Sequence, residues 1–168
     1  MRYFIILLLF SLFCFCSDSD KEKSIDESAC SFFAEGVEAV SCATKYIEAA
    51  EIQPLKAYSV DFPEFIGHDG ESQGFGGYLR IQPEKSGRYY CFLNKVQPFK
   101  VLVPNDEYSP IDPNSEQFFE RILEKKTPVE DCSKTDCRYS FDLNKDSLYY
   151  FLFYPVTDSC IDILLFIE

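Results

Sequence analysis

One stretch near the end of the chain indicates the architecture most clearly: Cys137-Arg-Tyr-Ser-Phe-Asp-Leu-Asn-Lys-Asp-Ser-Leu-Tyr-Tyr-Phe-Leu-Phe-Tyr154, followed by Cys160-Ile-Asp-Ile-Leu-Leu-Phe-Ile-Glu168. Apolar residues alternate with polar ones in it, and polar turn residues interrupt the alternation. A period of two is typical of strands that bury one face. The stretch therefore predicts three strands, over residues 138–143, 148–154 and 161–167.

An earlier segment has nearly the same layout: Gly77-Tyr-Leu-Arg-Ile-Gln-Pro-Glu-Lys-Ser-Gly-Arg-Tyr-Tyr-Cys-Phe-Leu93. Both segments contain a polar turn with a lysine, and a Tyr-Tyr pair follows each turn, at residues 89–90 and 149–150. We therefore predict two hairpins that face each other with their aromatic rings interdigitated. In each pair we expect one ring in the core and the other at its rim, although the tyrosines could instead form an aromatic binding face.

The fold class follows from the number and spacing of the predicted strands. Further strands are predicted over residues 58–62, 78–82, 88–93 and 99–103. Seven or eight short strands predict an all-β fold, an antiparallel β-sandwich of jelly-roll or immunoglobulin-like type, with one or two short helices.

The remaining segments predict short elements around this framework. Residues 28–35 are expected to form a helix, with Ser28 as its N-cap and Gly36 as its end. The segment 37–51 suits either a helix or a strand, and we favour a strand. Residues 117–125 are expected to form one short amphipathic element.

The composition restricts the classes of partner. The chain has 168 residues and a formal net charge of −12, which argues against nucleic acid because a phosphate backbone needs a clustered basic surface. The same charge disfavours electrostatic attachment to anionic lipid headgroups. Acidity of this kind is typical of a well-solvated exterior.

The N-terminus predicts export. The apolar run Tyr3–Phe13 follows Met1-Arg2 and is too short to span a bilayer, for which about 20 residues are needed. It is typical of the hydrophobic region of a secretory signal over residues 1–16. A polar, charged segment follows, and we interpret residues 17–28 as a flexible tether to a domain over residues 29–168.

Two cysteines at the end of the apolar run raise the question of lipid attachment. A cysteine there, followed by a polar tether, resembles a bacterial lipoprotein signal, and Cys16 is the better candidate for lipidation, with Cys14 as the alternative. Phe15 departs from the small residue that usually precedes the lipidated cysteine. Ordinary cleavage after Cys16, which would give a freely secreted protein, therefore stays open. For a lipoprotein, we predict a location in the cell envelope or on the outer membrane surface. For a freely secreted protein, we predict a location outside the cell.

Six cysteines follow the leader, and an even number in an exported chain of this size predicts a disulfide framework. Six cysteines allow fifteen pairings, and the sequence does not choose among them. Metal binding is the alternative, but the spacing contains no C-x-x-C pair and no His pair. The six are Cys30, Cys42, Cys91, Cys132, Cys137 and Cys160.

The sequence offers little catalytic chemistry. His68 is the single histidine, and it lies in a glycine-rich segment, 67–77, which we interpret as a loop and which lacks the order of a phosphate-binding loop. No nucleophile motif accompanies this histidine. We therefore expect no enzyme, no cofactor and no metal.

Several motifs resemble a group of small exported bacterial β-sandwich lipoproteins without assigned function. They are Ala29-Cys30 with Glu35-Gly36, Lys85-Ser-Gly-Arg-Tyr-Tyr with Pro98-Phe-Lys-Val101, and Cys132-x5-Arg138-Tyr-Ser-Phe-Asp-Leu143 with the closing strands. The resemblance covers most of residues 29–168 and implies a disulfide between Cys30 and Cys132. Members often carry histidines that hint at a metal, but this chain has Ser31, Phe32 and Lys56 at those places.

The sequence thus supports a ranked set of hypotheses. The first is a non-enzymatic cell-envelope lipoprotein, held to the membrane by its N-terminal lipid, that acts as an interaction or structural module for an unknown protein or glycan. The alternative is a carbohydrate- or ligand-binding module that uses exposed tyrosines. A small secreted hydrolase or metal-binding protein ranks last.

Overall fold

The computed structural model describes residues 24–66, 71–104, 118–129 and 132–168. Within these ranges the chain forms one α-helix, α1 (Ile25–Glu35), one short 3-10 helix (Tyr46–Glu48) and twelve strands. The strands are β1 (Glu38–Ser41), β2 (Ala50–Glu51), β3 (Lys56–Asp61), β4 (Glu64–Ile66), β5 (Ser72–Ile81), β6 (Gly87–Leu93), β7 (Lys100–Pro104), β8 (Phe118–Glu120), β9 (Glu124–Lys126), β10 (Cys137–Leu143), β11 (Tyr149–Val156) and β12 (Cys160–Ile167).

The strands form two mixed sheets, so the prediction of an all-β fold is confirmed. The first sheet has the order β1-β3-β12-β6-β10-β9, and the second has the order β2-β5-β11-β7-β8 with β4 also paired to β5. The pairs β1–β3 and β2–β5 are parallel, so the prediction of a purely antiparallel sandwich is wrong. The predicted number of strands is too low because the short edge strands have only two to four residues, too few to show an alternation.

The inner faces of the two sheets enclose one aromatic core. Phe99 lies at its centre, and its ring centroid is 5.0 to 6.0 Å from those of four other rings. Aromatic pairs at such separations stabilise a fold beyond the area that they bury, by about 0.5–1.5 kcal/mol each. The four rings come from both sheets, namely Tyr139 and Phe141 of β10 and Phe151 and Phe153 of β11.

Helix α1 covers the outer face of the first sheet. Its N-cap is Ser24, whose hydroxyl accepts a hydrogen bond of 3.1 Å from the backbone N–H of Glu27, rather than the predicted Ser28. The helix therefore includes residues 25–28, which we had assigned to the tether. Ala29 and Phe33 are buried against the strands beneath them.

A buried carboxylate and a disulfide fix this helix to the sheet. The side chain of Asp26 is only 4% exposed, and it accepts hydrogen bonds from Arg138 of β10 and from Lys126 of β9, the latter at 2.8 Å. The Arg138 guanidinium also lies 5.1 Å from the ring centroid of Tyr90. The disulfide that the resemblance implied, Cys30–Cys132, joins the helix to the segment before β10.

The two predicted hairpins do not form. β5 and β6 lie in different sheets, and so do β10 and β11. Instead, β6 pairs with β10 and β5 pairs with β11, so the two similar segments pair with each other. The prediction failed because alternation shows which residues are buried and not which strand is the neighbour.

The glycine-rich segment is also more regular than predicted, because β5 begins at Ser72. A Cβ atom at Gly76 would lie 2.2 Å from the carbonyl oxygen of Phe153, and one at Gly77 would lie 2.5 Å from the Cβ of Cys42. These glycines therefore permit close packing of strands and do not mark a loop.

Candidate binding face

The outer face of the second sheet carries tyrosine and leucine side chains. Among the described residues, the 3-10 helix at residues 46–48 is the only helix against it, through contacts of Tyr46 with Tyr78 and Tyr150. We call this surface the tyrosine face, and it consists of Tyr46, Tyr78, Leu102, Leu148, Tyr150 and Leu152. The two outer faces of the sandwich thus differ in the part of the chain that the structure describes.

The strand register explains why these side chains share one face. Tyr150 lies opposite Arg80 on one side and Leu102 on the other, and Leu152 lies opposite Tyr78 and Lys100. Directly opposite residues on paired strands point to the same side of a sheet. The alternate residues of β11, such as Phe151, are buried between the sheets.

Ion pairs flank the apolar centre of the tyrosine face. The Arg80 guanidinium lies 3.3 Å from the carboxylate of Glu51, and the Lys100 ammonium lies 2.9 Å from that of Glu120. The Nε atom of Arg80 is buried and has no hydrogen-bond partner within the described ranges. The exposed side chain of Ile47, which is 66% accessible, adds an apolar residue beside Tyr46.

The tyrosine rings pack edge to face. The ring of Tyr46 makes an angle of 71° with Tyr78 at 6.4 Å and an angle of 79° with Tyr150 at 5.4 Å. Burial raises the pKa of Tyr78, and it raises that of Tyr150 against the opposing effect of Arg80. The phenols of Tyr78 and Tyr150 therefore stay neutral at physiological pH. The angles between the rings show that they do not form a coplanar platform.

The Tyr-Tyr pairs confirm that one ring of each pair lies in the core, whereas the other ring lies on an outer face and not at the rim of the core. Tyr89 and Tyr149 are at most 1% exposed and lie between the sheets, whereas Tyr90 and Tyr150 lie on the two outer faces and are 9% and 6% exposed. In each pair, one ring is in the core and the next ring is on an outer face. Tyr90 lies in the cluster that α1 covers, and Tyr150 packs against Tyr46.

The cysteines pair less than predicted. The prediction of a six-cysteine framework is wrong beyond the Cys30–Cys132 bridge, because the other four, Cys42, Cys91, Cys137 and Cys160, remain thiols. Cys42, Cys91 and Cys137 are buried, and Cys160 is partly exposed beside the hydroxyl of Ser59 at 3.3 Å. Burial raises the pKa of Cys137 to about 11, and it also raises the pKa of Cys42 and of Cys91.

This difference in burial predicts a difference in thiol reactivity. Because the thiolate is the reactive species, a brief treatment of the folded protein with maleimide is expected to label Cys160 first and Cys42, Cys91 and Cys137 only after unfolding. Peptide mapping after pulse labelling measures this order, and a Cys160→Ser variant should lose the fast label. Equal labelling of Cys91 and Cys160 would contradict the buried placement.

Several predicted site residues lie outside the described residues, namely Cys14, Cys16, His68 and the segment 17–23 of the tether. Among the described residues, no group of three or more His, Cys, Asp or Glu side chains is placed to hold a metal ion. No helix in that part of the chain is long and apolar enough to cross a membrane.

Comparisons with known proteins add no assignment. No protein-family model matches this chain, and a search of curated proteins gave no match.

Proposed function

We propose that the protein is a non-enzymatic lipoprotein of the cell envelope that binds a protein partner through the tyrosine face. The observation that carries this proposal is the difference between the two outer faces. One is covered by α1 and fixed by a disulfide. The other, within the described residues, buries Leu102 and Tyr150 but leaves Tyr46, Tyr78, Leu148 and Leu152 only half-buried.

The composition of the tyrosine face favours a protein over a glycan. An apolar centre of tyrosine and leucine surrounded by a charged rim is the usual anatomy of a protein–protein interface, in which tyrosine and arginine are enriched. The rings of Tyr46, Tyr78 and Tyr150 meet edge to face and so do not lie in one plane, as the rings of a sugar-stacking platform would.

Export is supported by the disulfide, which forms and persists in oxidising compartments. The leader over residues 1–16 and lipidation at Cys16, with Cys14 as the alternative, belong to the same proposal, as does membership of the small exported β-sandwich lipoproteins that the sequence resembles. Three deeply buried thiols are compatible with an oxidising location, because burial keeps them protonated and inaccessible.

Lipid attachment is tested by metabolic labelling with an alkyne-modified palmitate. The wild-type protein and a Cys14→Ala variant are expected to carry the label in the membrane fraction, and a Cys16→Ala variant is expected to lose it. Labelling that survives in Cys16→Ala but not in Cys14→Ala would move the anchor to Cys14. An unlabelled wild-type protein in the medium would contradict the anchor.

The tyrosine face is tested by site-specific photo-crosslinking in cells that express the protein. A photoreactive residue at position 152 is expected to give one adduct of defined mass, and the same residue at position 31, on the exposed side of α1, is the control. A Tyr78→Ser change should reduce the adduct from position 152 about tenfold, since an aromatic side chain at the centre of an interface typically contributes more than 1 kcal/mol. Equal adducts from both positions, or none, would contradict the proposal.

A further inference from the structure

A cleft opens at one end of the sandwich, between the turn that follows β2 and the turn that joins β5 to β6. Its volume is about 350 Å³, within the usual range of small-molecule sites. We infer that this cleft binds a small zwitterion with an apolar group, of the chemical class of the apolar α-amino acids. Its lining combines apolar side chains, such as Leu55 and Ile167, with exposed polar ones at its mouth, such as Gln53, Glu84 and Lys85.

Tyrosine hydroxyls form hydrogen bonds with the backbone of the turns at this end of the molecule. The Tyr58 hydroxyl accepts a hydrogen bond of 3.0 Å from the backbone N–H of Gln53, and the Tyr89 hydroxyl donates one of 2.9 Å to the carbonyl oxygen of Lys85. Both turns line the cleft. A lining held by hydrogen bonds in this way does not have to be ordered when a ligand binds, which favours affinity.

The neighbouring turn between β10 and β11 is held by similar hydrogen bonds and is joined to the β5–β6 turn. The Tyr149 hydroxyl accepts a hydrogen bond of 2.9 Å from the backbone N–H of Asn144. This turn is joined to the β5–β6 turn by two further bonds, from the backbone N–H of Asp146 to the carbonyl of Pro83 at 3.0 Å and from that of Lys145 to the Ser86 hydroxyl at 2.7 Å.

Leu55 at the edge of the cleft is the most unusual residue of this region. Its φ angle is +62°, in the left-handed region that favours glycine, and its backbone N–H donates to the carbonyl of Leu165 at 2.6 Å. Its side chain is nevertheless 45% exposed. Neither backbone preference nor core packing accounts for a leucine there, and non-glycine residues in this conformation cluster at functional sites. An apolar ligand group that packs on Leu55 and Ile167 does account for it.

The charged side chains at the mouth of the cleft indicate which charged groups its ligand carries. Glu84 and Lys85 carry opposite charges, are exposed, and have no side-chain ion pair within the described residues, whereas Glu51 is engaged with Arg80. One ammonium and one carboxylate match the two ends of a zwitterion. The amides of Gln53 and Gln82 add neutral donors and acceptors to the same mouth.

The inference is tested by NMR titration of the mature protein in detergent micelles with L-leucine as the probe. Amide shifts are expected at residues 51–53, 55, 82, 84 and 85, with clearly weaker binding of L-serine, which lacks the apolar group. Isoamylamine and isocaproate, which each lack one charge, are also expected to bind about tenfold or more weakly, since each loses one charge-assisted contact. Binding of isocaproate as tight as that of leucine would overturn the zwitterion assignment.

Variants separate a ligand site from a structural cleft. Lys85→Gln and Glu84→Gln should each weaken leucine binding about tenfold, and Lys145→Gln, on the adjacent turn outside the lining, should leave it unchanged. Leu55→Gly should weaken binding while the midpoint of thermal unfolding stays the same or rises, because glycine adopts this φ without strain. An absence of shifts in the cleft, or equal binding by all variants, would overturn the inference, and neither result bears on the partner of the tyrosine face.

Discussion

Replacing Cys30 and Cys132 together by alanine is expected to lower the free energy of unfolding by about 4–5 kcal/mol. The bridge joins residues 102 positions apart, and a loop of about 100 residues loses an amount of this size in unfolded-state entropy when it is closed. Small domains have total stabilities of about 5–15 kcal/mol, so the variant should be marginally folded at 37 °C. Urea unfolding followed by circular dichroism measures the difference.

Two controls isolate the contribution of the bridge. A Cys160→Ala variant removes a partly exposed thiol without breaking a disulfide, and its midpoint in urea should stay close to that of the wild type. A reductant should lower the midpoint of the wild type to that of the double variant and leave the double variant unchanged. If the double variant and the wild type unfolded at the same urea concentration, the bridge would not fix α1 as described.

Replacing Asp26 by asparagine is expected to lower the free energy of unfolding by about 2–3 kcal/mol. The change leaves Arg138 and Lys126 without their carboxylate beneath α1. Removing one partner of a fully buried pair typically costs about 3–5 kcal/mol, and the expected value is smaller because Lys126 and Arg138 are 41% and 19% exposed. The same urea unfolding measures it, with hydrogen exchange of the α1 amides as a local readout.

The matched control is Asp61→Asn, which changes an exposed carboxylate on the same sheet. Its stability should be within about 0.5 kcal/mol of the wild type, as for most surface changes. Equal effects of the two changes would show that the ion pairs of Asp26 between α1 and the sheet add nothing to the stability.

The sequence predicts the long central strands well because their alternation is clear. Residues 138–143 and 161–167 were assigned from the period of two, and β10 and β12 cover them. The same alternation carries no information about partners, so it could not distinguish a hairpin from a turn that carries the chain between sheets, as at residues 82–86. Edge strands of two or three residues, such as β2, are fixed by tertiary pairing and leave no pattern to read.

The candidate surfaces were predictable only in part. Alternation in β11 places Tyr150 and Leu152 on the face opposite to Phe151, but the sequence does not say that α1 covers the other sheet. In the sequence, Asp26 is one of many acidic residues and lies in the segment predicted to be a polar tether. Its burial depends on Arg138, which is 112 residues away along the chain. The positive φ of Leu55 has no signal in the sequence, since Pro54-Leu55 contains no glycine or asparagine at the position that needs it.

The most direct test of the account is the intact mass of the natively purified protein, measured before and after alkylation under denaturing conditions. We expect a chain that begins at Cys16, carries lipid, takes up four alkyl groups without reduction, and takes up six after reduction. A chain that keeps Met1 and takes up alkyl groups on Cys30 and Cys132 without reduction would contradict both the export and the bridge.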